Sequence, residues 1–189
     1  MKIFITRHGE SEYNTQNRIG GDSNLTEKGH EYGQRLYNFC VKNSTLIPKR
    51  CLLSTKKRAI QTAKHLENYM ESIDQYSELD EIDAGVAENL TYEDFEQNFT
   101  FFAKEREKDK LNFKYPGGES YQDLIVRTKP IVESIIKKDQ DYFIICHRAV
   151  ARALIYNFTN CQKEAVPKIE IPLHKIIFLE NNVARIIEP

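Results

Sequence analysis

Two histidines in this chain lie just beyond short apolar runs, and each has arginine beside it. Ile3-Phe4-Ile5 leads into Thr6-Arg7-His8-Gly9-Glu10, and Tyr142-Phe143-Ile144-Ile145-Cys146 leads into His147-Arg148-Ala149-Val150-Ala151-Arg152. A third run, Cys51-Leu52-Leu53, opens onto Ser54-Thr55-Lys56-Lys57-Arg58. Arginine presents a planar fork of donors that matches phosphate oxygens, and an unprotonated imidazole can attack phosphorus to give a covalent intermediate. Phosphoryl transfer rests mostly on positioning and on neutralising charge spread over equatorial oxygens. The residue types therefore suit a phosphoryl-transfer site with a histidine nucleophile and arginine clamps. No Cys, His or carboxylate set has metal-ligand spacing, so arginines are expected to do what a metal would do elsewhere. A departing alkoxide also needs a proton donor. The stretch Leu79 to Glu88 offers Asp80, Glu81, Asp83 and Glu88. Glu81, between Leu79 and Ile82, is open to partial desolvation, which favours a protonated acid. The sequence does not choose it over Asp83 or Glu88.

These groups meet only if the strands are parallel neighbours. Continuous apolar runs suit strands buried on both faces. Right-handed crossovers make such strands parallel, and in open sheets ligands sit beyond the strands' carboxyl ends. The expected fold is α/β, a three-layer helix-sheet-helix arrangement with a mostly parallel central sheet. Gly9 is expected to let the backbone turn closely around a ligand, and Ser11 to Asn24 reads as an ordered polar loop. Thr26 caps a helix from Glu27 to about Val41 with Leu36, Phe39 and Cys40 inward, weakened slightly by Gly29. Ser54 or Thr55 caps the helix that carries Arg58 in its first turns, near N–H groups that favour anions. Thr91 with Asp94 and Ser120 with Asp123 read as capping boxes. The first starts a helix at Tyr92 that runs through Phe95 and Phe99. The second starts one toward Lys138 with a kink at Pro130. Arg106 and Lys110 are spaced to share one helical face. A helix follows His147 to about Phe158, and Asn181-Asn182 turns a hairpin of Lys175 to Leu179 and Val183 to Ile187.

The 189 residues fit one domain, 1–189, with residues 92–115 as a lid over substrate. A formal net charge of −1 gives no overall field for nucleic acid or anionic membrane, so any anion must be held by a local cluster. No run is long enough to span a membrane, and no secretion signal precedes the first strand. Cys40, Cys51, Cys146 and Cys161 are scattered and read as reduced thiols of a cytoplasmic protein, with no cofactor expected and a monomer or homodimer as the assembly. Cys146 and Arg152 also satisfy the C-x5-R spacing of cysteine phosphatases. That loop needs glycine, and residues 148–151 contain none, so Cys146 reads as a buried strand residue.

Arg7-His8-Gly9-Glu10 resembles the signature of the histidine phosphatase superfamily, which includes phosphoglycerate mutases and acid phosphatases. Within it, the chain is most similar to the bisphosphatase domain of the bifunctional 6-phosphofructo-2-kinase/fructose-2,6-bisphosphatase family. The matching strings span most of the chain: RHGESEYNTQNRIGGD (Arg7 to Asp22), KRAIQTA (Lys57 to Ala63), EIDAGV (Glu81 to Val86), LTYE (Leu90 to Glu93), Tyr115-Pro116, GESY (Gly118 to Tyr121) and ICHRAV (Ile145 to Val150). RHG marks only the superfamily, whereas EIDAG with GESY and RIGGD is far more specific.

The resemblance implies a phosphoglycerate mutase-like fold and metal-independent hydrolysis of the 2-phosphate of fructose 2,6-bisphosphate through a phosphohistidine. It implies that His8 is the nucleophile and that His147 steadies the transferring group. Arg7, Arg58 and Asn14 would clamp that group, with Gly20 alongside, and Glu81 would be the acid and later the base. Tyr92, Arg106, Lys110, Tyr121 and Arg152 would bind the rest of a phosphosugar, and the added charge of Arg148 is expected to contribute to substrate binding at the pocket rim. One departure stands out: Arg148 occupies a position where the family usually has glutamine. No GxxxxGK[ST] motif occurs in these residues, so a phosphatase without the kinase half is expected. A phosphatase of another sugar bisphosphate, a broad phosphomonoesterase, a phosphoglycerate mutase and a non-catalytic phosphosugar-binding regulator are the rival readings. His30, His65 and His174 are assigned no chemistry.

Overall fold

The computed structural model describes residues Met1–Pro189. In chain order it contains β1 (Lys2–Arg7), the one-turn helix α1 (Glu12–Thr15), α2 (Glu27–Lys42), β2 (Arg50–Leu53), α3 (Lys57–Lys64), β3 (Ser72–Gln75), α4 (Tyr92–Asn98), α5 (Thr100–Lys108), α6 (Tyr121–Lys138), β4 (Tyr142–Cys146), α7 (Arg148–Thr159), β5 (Ile176–Glu180) and β6 (Val183–Ile187). The strands lie in the order β3-β2-β4-β1-β5-β6. The first four are parallel, and β5 and β6 continue the sheet antiparallel.

The pleat sorts each apolar run between two cores. Ile3 and Ile5 of β1, Leu52 of β2 and Ile144 and Cys146 of β4 pack with Leu124 and Val132 of α6 and Val150 and Leu154 of α7. Phe4, Cys51, Leu53, Phe143 and Ile145 face the opposite way, against Tyr32, Leu36 and Cys40 of α2 and Ala59 and Ala63 of α3. Helices thus cover both sheet faces, the three layers expected from sequence. No helix is long and apolar enough to cross a membrane.

Several local expectations are realised, and others are redirected by contacts from elsewhere in the chain. Both capping boxes form, Thr91 with Asp94 and Ser120 with Asp123. The hairpin turns at Asn181 and Asn182, each with positive φ. The helix from Tyr92 ends at Asn98, and Phe99 caps it before α5 begins. α6 continues through Pro130. The loop after β1 holds a helical turn, because Ser11 accepts from the Asn14 N–H while Asn14 accepts from that of Ser11. Phe39 is only half-buried, since its face of α2 lies at the edge of the core. Gly9 serves packing rather than a ligand: a Cβ there would sit 2.4 Å from the Gly29 carbonyl oxygen, so the two glycines let β1's exit cross α2.

A third, smaller core forms above the carboxyl ends of the strands. Phe95 and Tyr115 pack with Ile19, Ala84 and Ala87, and backbone bonds join residue 19 to residues 89 and 90. Beneath this core, Arg127 of α6 holds the turn that precedes Glu81. Its guanidinium donates to the carbonyls of Ser77, Glu78 and Asp80 at 3.1, 2.9 and 3.0 Å, and grips both Glu119 oxygens at 2.8 and 2.9 Å. Glu119 in turn accepts from the Asp83 N–H at 3.0 Å. Replacing Arg127 by methionine keeps its stem and removes every donor, so stability should fall by about 2 kcal/mol in urea unfolding. An unchanged midpoint would show that the strut carries no load.

Candidate active site

The site begins where β1 and β4 run side by side. Arg7 pairs with Cys146 at the end of the ladder, and His8 N–H still donates to the Cys146 carbonyl at 3.0 Å. His8 and His147 therefore leave adjacent strands together, and their rings lie 5.0 Å apart between centroids. Arg58 reaches in from the first turn of α3, with its Nε donating to His8 Nε2 at 3.1 Å and a terminal nitrogen donating to the Gly21 carbonyl at 2.8 Å. His8, His147, Arg7 and Arg58 are 2%, 0%, 5% and 3% exposed, so this is a buried cationic and imidazole cluster.

The cap expected from Ser54 or Thr55 is not made, because both side chains are turned to Asp80. The Asp80 carboxylate accepts from Ser54 Oγ, Thr55 N and Thr55 Oγ1, each at 2.7 Å. Lys56 occupies the N-cap position without a side-chain bond, and Asp22 instead accepts from the free Lys57 N–H at 2.7 Å.

Hydrogen bonding fixes the proton on each imidazole. His8 Nδ1 lies 2.7 Å from the Gly9 carbonyl, which can only accept, so Nδ1 carries the proton and Nε2 keeps its lone pair. His147 Nε2 lies 2.7 Å from Ser54 Oγ, whose single proton goes to Asp80 and which also accepts from Lys56 N–H. His147 must then donate from Nε2, and its Nδ1 is the bare nitrogen. Burial first, then Arg58 and Arg7, hold His8 well below the ordinary imidazole range. Burial, Arg58, His8 and Arg7 do the same to His147. Both rings are neutral, and a bare Nε2 on His8 is what a nucleophile requires. Two buried polar atoms of this cluster have no partner, Arg7 Nε and His147 Nδ1.

A cavity of about 230 Å³ opens in front of the cluster. Arg7, His8, Asn14, Gly20, Arg58, Glu81, Tyr92, Arg106, Lys110, Tyr121, Arg148 and Arg152 all line it, and of the residues the resemblance assigned to the site His147 alone is not on its wall, its ring lying 5.0 Å from that of His8. Gly20 has a φ of +62°, and a Cβ there would meet the Glu88 carboxylate at 2.2 Å. Among the four acidic candidates only Glu81 lines the cavity, half-buried, accepting from Ile82 N–H at 3.0 Å and from Ala149 N–H, in the first turn of α7, at 3.3 Å. Asp80 is committed to Ser54 and Thr55, Asp83 to Gly85, and Glu88 to the N–H groups of Gly21 and Ala84.

Arg106 and Lys110 reach the cavity without sharing a helical face. α5 ends at Lys108, and Lys110 comes from the turn beyond it. Burial and the nearby Arg106, Arg152 and Arg148 push Lys110 down to about 8, and burial with Arg148 pushes Arg7 down to about 10. Arg148 and Arg152 therefore act on both cationic groups. Tyr121 Oη accepts from Arg152 at 2.8 Å. Tyr115, which sequence reading left without a role, lies 5.8 Å beneath the Arg106 guanidinium. Arg18 also lines the wall. Sequence reading took Asp80 for a possible acid and Ser54 for a helix cap and gave Arg127 and Glu119 no role, because the partners that define them come from other segments of the chain. Cys146 is fully buried, and desolvation pushes its thiol far up, so it is unsuited to the C-x5-R chemistry. His30 and His65 bond each other at 3.1 Å, and His174 accepts from Glu10 N–H at 3.1 Å.

Residues 3–185 match the family model for the histidine phosphatase superfamily, branch 1. The chain belongs to that superfamily. It is 39% identical over 178 residues to the fructose-2,6-bisphosphatase of Saccharomyces cerevisiae, covering 94% of this chain and 38% of that protein. It is also 39% identical over 177 residues to a 6-phosphofructo-2-kinase/fructose-2,6-bisphosphatase of Caenorhabditis elegans, again 94% of this chain and 38% of the relative. The chain thus spans well under half the length of these relatives. In fold it resembles the α-ribazole phosphatase of Shigella flexneri, with a TM-score of 0.85 at 20% identity over 97% of this chain and 93% of that one. A mycobacterial glucosyl-3-phosphoglycerate phosphatase gives a TM-score of 0.83 at 20% identity over 98% and 95% of the two chains. These likenesses confirm the α/β architecture expected from sequence.

Neutral buried imidazoles make stability depend on pH with a definite sign. In the folded histidine phosphatase domain both rings titrate well below their ordinary value, so below about pH 6.5 the unfolded chain binds more protons. Their contribution is fully present above about pH 6.5 and is lost as pH falls, by at most roughly 1.4 kcal/mol per pH unit for each ring. Urea midpoints measured across that window should drop on the acid side, and His8→Asn or His147→Asn should flatten the slope. A wild-type curve level through it would contradict neutral burial.

Proposed function

We propose that this chain hydrolyses the 2-phosphate of fructose 2,6-bisphosphate, releasing fructose 6-phosphate and phosphate through a phosphohistidine. The observation that carries the reading is one cavity holding two cationic groups. Arg7 and Arg58 stand beside the imidazole pair, whereas Arg106 and Lys110 come from the covering segment, with Arg148 and Arg152 acting on both. A substrate with two phosphates needs two such places, and the relatives named for this activity match most of the chain.

In the first half-reaction the His8 Nε2 lone pair forms a bond to phosphorus as the bond from phosphorus to the sugar oxygen breaks. Glu81 gives its proton to that oxygen. Arg58 shifts from Nε2 onto the phosphoryl oxygens, joined by Arg7 Nε and by the Asn14 amide, whose carbonyl oxygen is already held by the Ser11 N–H. In the second half-reaction Glu81 takes a proton from water, the water oxygen bonds to phosphorus, and His8 recovers its lone pair. Tyr92, Tyr121, Arg106, Lys110, Arg148 and Arg152 hold the sugar 6-phosphate. Residues 92–115 cover the substrate within a single domain of residues 1–189. Four unpaired cysteines, three of them buried, fit a reducing, cytoplasmic setting.

A phosphate-release screen tests this over sugar bisphosphates, phosphoglycerates and an aryl phosphate. Fructose 2,6-bisphosphate should be preferred, and Arg106→Ala or Lys110→Ala should raise its KM roughly 10- to 100-fold while sparing the aryl phosphate. His8→Ala should be inactive on every substrate. Equal turnover of all substrates would leave a broad phosphomonoesterase, and isomerisation of 3-phosphoglycerate without phosphate release would make the chain a mutase.

A further inference from the structure

The two imidazoles of the site carry opposite tautomers, and their bare nitrogens are treated differently. The lone pair of His8 Nε2 already receives an N–H from Arg58 at 3.1 Å. That of His147 Nδ1 has no partner, although the residue is 0% exposed. A bare nitrogen is an acceptor and would repel the oxygens of a phosphoryl group. To stabilise that group, Nδ1 must first gain a proton. The opposite edge of the ring is prepared for the resulting cation, because Nε2 donates to Ser54 Oγ at 2.7 Å and Ser54 passes its own proton to the Asp80 carboxylate at 2.7 Å. Asp80 is itself fastened by Thr55 through two further bonds of 2.7 Å, and its carbonyl by Arg127 at 3.0 Å.

We propose that Asp80 and Ser54 are positioning residues that hold His147 as its Nε2–H tautomer and supply the negative charge that lets it become an imidazolium when a phosphate dianion enters the cavity. The proton comes from solvent and forms an N–H bond at Nδ1, which then donates to a phosphoryl oxygen. When the dianion departs, the same proton returns to solvent. His147 thus answers the charge of its ligand. Unliganded, it faces His8 and Arg7 from the end of β1 and Arg58 and Lys56 from the segment into α3, all of which disfavour a further positive charge. A dianion placed among them reverses that balance. The logic parallels that of a buried carboxylate orienting a catalytic histidine, here with a serine hydroxyl interposed. The inference rests on the reading of His8 as the phosphoryl acceptor and is independent of which sugar phosphate is the substrate.

The test uses the whole chain, isotopically labelled, with inorganic phosphate as the probe. Histidine nitrogen NMR of the wild type should show the His147 ring, identified by its loss in His147→Gln, protonated at Nε2 and bare at Nδ1. Saturating phosphate should add a proton at that Nδ1. In Ser54→Ala and Asp80→Asn the single tautomer should become a mixture and the proton uptake should vanish. For an aryl phosphate, whose leaving group needs no acid, kcat should fall about 100-fold with KM changed less than about 3-fold. Should Asp80→Asn fail to fold, Ser54→Ala and the wild-type spectra decide the matter alone. Phosphate that binds while His147 stays neutral would overturn this proposal and leave the phosphatase reading intact. Wild-type protein that binds no phosphate would overturn both.

Discussion

Everything at this site depends on β1 and β4 being parallel neighbours whose ladder ends in the same register. Because Arg7 pairs with Cys146, the next residue of each strand is a histidine at the same height. Two imidazoles 139 positions apart in sequence thereby become a facing pair with ring centroids 5.0 Å apart. No loop could set that spacing as reproducibly, because the hydrogen bonds of a central, doubly covered sheet leave the strands no freedom to slip.

Electrostatics follow from that placement. The cluster is buried and surrounded by arginines, and a second positive charge on either ring would be expensive. The fold resolves this by keeping both rings neutral and by assigning each its proton through a neighbour that can only accept: a backbone carbonyl for His8, and a serine already committed to a carboxylate for His147. Neither ring is hydrogen-bonded to a carboxylate directly: His8 meets the Gly9 carbonyl and Arg58, and His147 meets Ser54. Glu81 lines the cavity with its backbone bracketed by the Arg127 and Glu119 pair, which hold the Asp80 carbonyl and the Asp83 N–H on either side of it.

The third core makes the cavity deep. Ile19, Phe95 and Tyr115 join the loop after β1 to the helices that carry Tyr92 and Arg106, so the covering cations are presented by packed aromatic structure. Arg106 lies 5.8 Å from the ring centroids of both Tyr92 and Tyr115, which restrains a long side chain that solvent would otherwise leave mobile. Arg148 adds an exposed charge to the cavity rim from the first residue of α7.

Sequence alone determined the parts whose physics is local. Continuous apolar runs, the two capping boxes, the Asn-Asn turn and the placing of histidine and arginine at strand ends are written in adjacent residues, and the family strings contain most of the cavity residues, though not Arg106, Lys110 or Arg152. It misplaced what long-range partners decide. Ser54 and Thr55 looked like caps, but a carboxylate 26 residues away took their hydrogen bonds. Gly9 looked like a ligand contact, yet it serves the crossing of Gly29. Which of four acids faces the cavity, which nitrogen of each imidazole holds the proton, and how Arg127 braces the acid's turn were settled only in three dimensions. Hydrogen-bond competition between groups far apart in the chain has no signature in the spacing of residues.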